Sequence, residues 1–142
     1  RGYMPYSLVE LIEIITQRIG DWDMEFIQKS AEDGFTARQI EYIEVINKLG
    51  NPNLGEIAKA LNISKPSVTA IVDKMTEKGY IKKIQSDEDR RSFHVHLSDK
   101  GKKVVQMHDE THKKIAEFFG KNLSSKDLAT LISLFNKVVS KI

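Results

Sequence analysis

Between Asn62 and Thr69 the chain reads Asn-Ile-Ser-Lys-Pro-Ser-Val-Thr. Ser64, Lys65, Ser67 and Thr69 surround a proline, a residue that suits the first turn of a helix because its missing N–H costs nothing there. Small hydroxyls and one lysine at a helix N-terminus can approach phosphates and base edges without steric conflict, and the helix end itself favours phosphate. The chemistry these residues suit is nucleic-acid binding. A plain helical hairpin with solvated lysines would use the same residue types, so the reading depends on what surrounds the segment.

A second cluster suits metal chemistry. His108 and His112 are four apart, so both rings leave the same face of a helix, a spacing that can chelate zinc, nickel or copper. Oxygen ligands would come from Asp21 or Glu25 on the first helix, or Glu41 on the second, if those helices pack alongside. The competing reading is that both histidines flank an apolar stripe and form ordinary hydrogen bonds. His94 and His96 alternate along an expected strand and read as solvated outer-face residues. The chain has no cysteine, which excludes a disulfide scaffold, a Cys-ligated zinc finger, a thiol nucleophile and a cysteine redox sensor. No Gly-rich phosphate loop occurs, and no Ser/His/Asp set has a strand-turn-helix context, so an enzyme is not expected.

The elements that must position these groups are mostly helical. Leu8, Ile12, Ile15, Ile19, Trp22 and Phe26 step by fours and threes, predicting one long amphipathic helix over residues 7–30, ended by Asp33-Gly34. Val9, Leu11, Ile14, Met24 and Ile27 widen its apolar face beyond what one core needs, which implies a second chain. Thr36 with Gln39 predicts a capped helix to Gly50, and Asn53 with Glu56 a short one to Leu61. Asn62-Ile63 is a tight corner. Ser64 caps a helix whose inner face is Val68, Ile71, Val72 and Met75 and whose stop is Gly79.

The period then changes to two. Phe93, Val95 and Leu97 pair with Tyr80-Ile81 and Ile84 across a polar tip, Ser86 to Ser92, predicting a β-hairpin. Ser98 caps a helix ending near Gly120. Ser124 with Asp127 opens a last one, apolar at Leu128, Leu131, Ile132, Phe135, Val138, Val139 and Ile142. The expected architecture is mainly α with a small hairpin wing: a winged helix-turn-helix over residues 36–101 in a single domain of 142 residues, with arms at 7–34 and 102–142.

Composition is permissive. Apolar residues are 40% and charged residues 30%, as in a soluble globular protein, and no apolar run can span a bilayer. No export signal is visible, and the expectation is a cytoplasmic protein. Net charge is only +2, from 22 basic and 20 acidic residues, which does not announce nucleic acid. The lysines gather, however. Lys59, Lys65, Lys74, Lys78, Lys82 and Lys83 fall in one stretch with Glu56, Asp73 and Glu77.

The words Leu54-Gly55-Glu56-Ile57-Ala58, Ser64-Lys65-Pro66-Ser67-Val68-Thr69, Val72-Asp73-Lys74-Met75, Glu77-Lys78-Gly79-Tyr80-Ile81, Asp89-Arg90-Arg91 and Leu97-Ser98-Asp99-Lys100-Gly101 resemble the MarR (multiple antibiotic resistance regulator) family. The long helices at both ends extend the resemblance over nearly the whole chain. It implies a symmetric homodimer that binds double-stranded DNA at a pseudo-palindromic site, usually as a repressor whose affinity an effector changes. Ser64, Lys65, Ser67 and Thr69 then meet DNA. Asp73 and Arg91 occupy positions where the family pairs a helix carboxylate with a wing arginine, leaving Arg90 for the wing tip. Glu88 departs from the family's basic wing pattern, so the tip holds three acids against two arginines.

No cofactor is required on this reading. The resemblance offers two regulators: a divalent metal such as zinc held by His108 and His112 with Glu25 and Glu41, or an organic effector in an apolar cleft lined by Trp22, Phe26, Tyr42 and Met107. Core and dimer packing would use the same apolar residues. The near-neutral charge and acidic wing keep open a further alternative, a winged-helix module that binds protein rather than DNA.

Overall fold

The computed structural model describes residues 5–30 and 36–142, the side chains of residues 26, 27, 29 and 30 excepted. The predicted stop at Asp33-Gly34 and the side chain of Phe26 therefore lie outside the described residues. The order is α1 (Leu8–Ser30), α2 (Ala37–Leu49), α3 (Leu54–Leu61), α4 (Lys65–Glu77), β1 (Ile81–Gln85), β2 (Phe93–Leu97), α5 (Asp99–Asn122) and α6 (Ser125–Val139). The elements are those expected, with two different ends. Gly120 lies inside α5, which runs on to Asn122, and α6 stops before Ile142, whose side chain is almost wholly exposed.

Local chemistry sets most helix starts. Thr36 and Asn53 each accept the backbone N–H three residues on, while Gln39 and Glu56 reach back to the cap N–H. Ser64 and Ser124 accept from Ser67 and Asp127. The same device opens α1: Ser7 Oγ accepts the Glu10 N–H at 3.3 Å, and Glu10 Oε2 accepts the Ser7 N–H at 2.8 Å. The helix-turn-helix corner is made by Asn62, left-handed at φ 54°, whose N–H bonds back to the last turn of α3.

The chain forms two compact units, residues 23–108 and residues 1–22 with 109–142. The core of the first is Ile43, Ile46, Ile57, Val68, Val72, Met75, Tyr80, Ile81 and Val95, bordered by Ile40 and Val104. The hairpin is antiparallel with Ile81 opposite Leu97, Lys83 opposite Val95 and Gln85 opposite Phe93. Asn53 bridges to His94, and the Val95 N–H donates to Pro52 O at 2.8 Å, so the segment before α3 lies along β2. His94 and His96 are consequently half-buried rather than solvated. Ser98 ties wing to helix: its hydroxyl donates to Gly79 O at 2.5 Å and accepts the Gly101 N–H at 3.2 Å. Gly101 is required there, because a Cβ would collide with the Tyr80 carbonyl oxygen. Lys100 places its ammonium 4.4 Å from the Tyr80 ring centroid.

In the second unit Trp22 and Phe118 meet edge to face at 5.2 Å. A cavity of about 370 Å³ lies between Ile14, Ile15, Ile19 and Trp22 of α1 and Phe118 and Phe119 of α5, with Arg18 the one charged lining residue among the described residues. Much of this unit's apolar surface is open: Leu8 is 73% exposed, Val9 65%, Val138 63% and Val139 63%.

Candidate nucleic-acid interface

Helix α4 buries Val68, Val72 and Met75 and turns Ser64, Lys65, Ser67, Thr69 and Ala70 to solvent. The hydroxyls are not free rotors. Ser64 Oγ and Ser67 Oγ lie 2.8 Å apart, and Thr69 Oγ1 donates to Lys65 O at 3.1 Å. With its proton spent on the helix, Thr69 offers outward only oxygen lone pairs and a methyl group. That suits the exocyclic amino group of cytosine or adenine, or a thymine methyl. The Lys65 stem crosses the start of α3. An ideal Cβ on Gly55 would stand 3.7 Å from Lys65 Cε and 4.0 Å from its Nζ, so the ammonium lies beside the α3 N-terminus.

The wing is held differently from expectation. Asp73 pairs with Lys83 of β1, not with Arg91. The register explains it. Lys83 faces the same side of the hairpin as Ile81 and Val95, which pack into the core, and so is turned towards α4. Arg91 lies beyond the last strand pair, in a turn fixed by Asp89. Asp89 Oδ1 accepts the Arg91 N–H at 2.9 Å, Oδ2 accepts Ser92 Oγ–H at 3.4 Å, and Gln85 Nε2 donates to Arg90 O at 2.5 Å. Of the three tip acids, then, Asp89 shapes the turn. Arg90 and Arg91 both remain exposed.

Of the other candidates, the two histidines keep together one turn apart on α5, and the apolar ones fall into separate places. His108 Nδ1 is 2.8 Å from Glu44 Oε1, and its Nε2 is 3.6 Å from Asp23 Oδ2, with all three side chains largely buried. The first two helices thus present Asp23 and Glu44 to His108. Glu25 and Glu41, the expected acids, sit exposed on their helices. Glu44 is one turn past Glu41, on the half-buried face, and Asp23 is on a different face of α1 from Glu25. His112, one turn past His108 in α5, is exposed. Trp22 lines the α1–α5 cavity, Tyr42 lines a different one between α2 and α4, and Met107 packs against the core. Lys83, Glu44 and Asp23 were missed because their signal is register and helix phase, which no short motif carries. The Ser7–Glu10 box was visible as S-x-x-E.

A helix-corner-helix with a polar, exposed N-terminal tip, followed by a hairpin fixed to it, defines a winged-helix DNA-binding protein. The sequence model of the MarR family matches residues 35–93. YpoP of Bacillus subtilis (strain 168), an uncharacterized HTH-type transcriptional regulator, is 30% identical over 144 residues, covering 99% of this chain and 97% of that protein. Two solved structures share the fold. A mutant of S. aureus MepR bound to an oligodeoxyribonucleotide superposes with TM-score 0.76 at 16% identity, over 96% of this chain and 99% of that one. Streptococcus pneumoniae FabT in complex with DNA gives 0.70 at 22%, over 94% and 96%.

The chain belongs to the MarR family. It is a transcriptional regulator with a DNA-binding winged-helix fold and not an enzyme. No described helix is long and apolar enough to cross a membrane.

Proposed function

We propose that the protein is a homodimeric repressor that occupies a pseudo-palindromic operator in the cytoplasm and changes its DNA affinity when a small organic effector binds. The observation that carries the dimer is the open apolar surface at both ends of the chain, Leu8, Val9 and Ile12 in α1 with Ile132, Phe135, Val138 and Val139 in α6. A soluble monomer rarely leaves so large a patch uncovered. The effector reading is supported by the α1–α5 cavity, whose apolar walls and Arg18 suit an aromatic or aliphatic carboxylate. Family membership favours DNA over a protein ligand for the winged helix.

Selection of bound sequences from a random DNA pool tests the reading: a pseudo-palindrome is expected, and recovery of no specific sequence refutes it. On the selected operator, Lys65→Ala is expected to weaken binding on all sequences and lower the salt slope by about 1.8, two phosphate contacts in a dimer. Thr69→Ala is expected to relax sequence preference, by about 1–3 kcal/mol per affected base pair.

A second reading, regulation by a divalent metal such as zinc, is supported by the setting of His108. Glu44 lies at Nδ1 and Asp23 on the side of Nε2; with Nδ1–H donated to Glu44, Nε2 would be left to bind a metal beside Asp23, as where an outer carboxylate orients a metal-binding imidazole. Zinc titration followed by calorimetry is expected to lose its tight phase in His108→Ala and to weaken about 10–100-fold in Glu44→Gln. Identical isotherms for the variants and the native chain would rule this reading out.

A further inference from the structure

The exposed surface of α4 has two flanks. Thr69 and Asp73, four residues apart, share one of them, and the Asp73–Lys83 ion pair joins that flank to the wing. Ser67 and Lys74, seven apart, share the other, which faces α2. On this second side a cavity of about 200 Å³ separates the two helices, with Arg38, Gln39 and Tyr42 contributed by α2 and Ile71, Lys74 and Met75 by α4. Arg38 and Lys74 are both exposed. Among the described residues no acid lines the cavity, and neither cation has an ion-pair partner. The nearest acid along α4, Asp73, is already engaged by Lys83 on the opposite flank.

Two like charges from different helices facing one concavity repel each other, and an anion placed between them removes that repulsion. A helix lying in a major groove has a phosphate strand on each side. The wing would attend to one strand. On the other flank the tip offers Ser67, a short hydroxyl with no charge.

We propose that Arg38 and Lys74 form a backbone clamp that takes a DNA phosphate from the strand on the side of α4 opposite the wing. The clamp rests on the operator-binding reading above and adds to it a contact outside the helix-turn-helix tip and the wing. It carries no sequence information. Its role is to fix how far α4 rolls in the groove, because the wing and the clamp hold the helix from both sides.

The test uses the full chain and its selected operator. Arg38→Gln and Lys74→Gln, singly and together, are measured for affinity across a salt series and for ethylation interference at each phosphate. In the double variant the salt slope is expected to fall by about 1.8, one phosphate per protomer of a dimer, with equal loss on operator and random DNA. Ethylation of one phosphate per half-site, on the strand away from the wing, is expected to stop mattering in the double variant, while phosphates dependent on Lys65 and Arg90 keep their effect. Arg38→Lys is expected to restore most of the slope, and urea midpoints are expected to stay at the native value, since both side chains are solvent-facing. An unchanged slope and interference pattern in the double variant, with the native protein bound to its operator, overturns the clamp and leaves operator binding intact. Failure of the native protein to bind any selected sequence overturns both.

Discussion

Asp73 of α4 has Arg91 and Lys83 of the wing as possible partners, and the carboxylate is taken by the one that strand register turns towards it. Lys83 is fixed by strand register opposite Val95, whereas Arg91 sits in the turn. The Asp73 side chain is 55% exposed and that of Lys83 33%, so water screens the pair and its coupling is expected to be about 0.2–1 kcal/mol. A double-mutant cycle with Asp73→Ala and Lys83→Ala in urea measures it. The same cycle with Arg91→Ala is expected to be additive, and coupling there instead would reassign the pair. A second carboxylate titrates in a defined direction. The Ser7 N–H, then the Ser7 hydroxyl, hold Glu10 below its ordinary value of 4.5. A lowered native value means that the cap stabilises α1 above the ordinary carboxylate range and is lost as pH falls through the lowered value. Amide exchange at the start of α1 is expected to quicken in acid in the native chain and to lose that acid step, apart from intrinsic exchange, in Glu10→Gln, whose amide caps without titrating.

At the scale of elements, Ser98 and Gly101 decide how α5 leaves the wing. The Ser98 hydroxyl bonds at once to Gly79 O and to the Gly101 N–H, and the missing Cβ of Gly101 lets the helix backbone touch the Tyr80 carbonyl. Gly101→Ala is expected to cost about 1–3 kcal/mol through forced backbone displacement, and Ser98→Ala about 0.5–2 kcal/mol through the lost cap, both read as urea midpoints. An unchanged midpoint for Gly101→Ala would mean that the helix can slide away from Tyr80 freely. These elements also show where sequence was a sufficient guide. Thr36, Asn53, Ser64 and Ser124 announce their helices because a cap is a contact between residues three apart, and the alternation Phe93, Val95, Leu97 announces a strand for the same local reason. Lys83 against Asp73, Glu44 and Asp23 against His108, and Arg38 across from Lys74 are long-range pairings. Each depends on the rotational phase of one element relative to another, which tertiary packing sets and no window of a few residues contains.

At the scale of the whole molecule, the proposed dimer would decide what the winged helix can read. One recognition helix covers one half-site, and a half-site alone rarely distinguishes an operator from the many competing sequences around it. Two helices held about 34–36 Å apart, one turn of DNA, multiply the discrimination, provided that something rigid sets their separation. The exposed residues of α1 and α6 are suited to that task, since Phe135 is 54% exposed, Val138 63% and Leu8 73%. Phe135→Glu combined with Val138→Glu puts a charge on each of two positions that a dimer would bury while leaving the core of residues 23–108 untouched. The expected result is a monomer by sedimentation at micromolar concentration and a normal helical signal, because α6 keeps its Ser124 cap. Operator affinity is then expected to drop to the level of a single half-site and to lose its dependence on the spacing between half-sites. A variant that remains dimeric would place the interface elsewhere on the chain. A monomer that still distinguishes operators by half-site spacing would show that the spacing is read by the DNA's own deformability rather than by a second recognition helix.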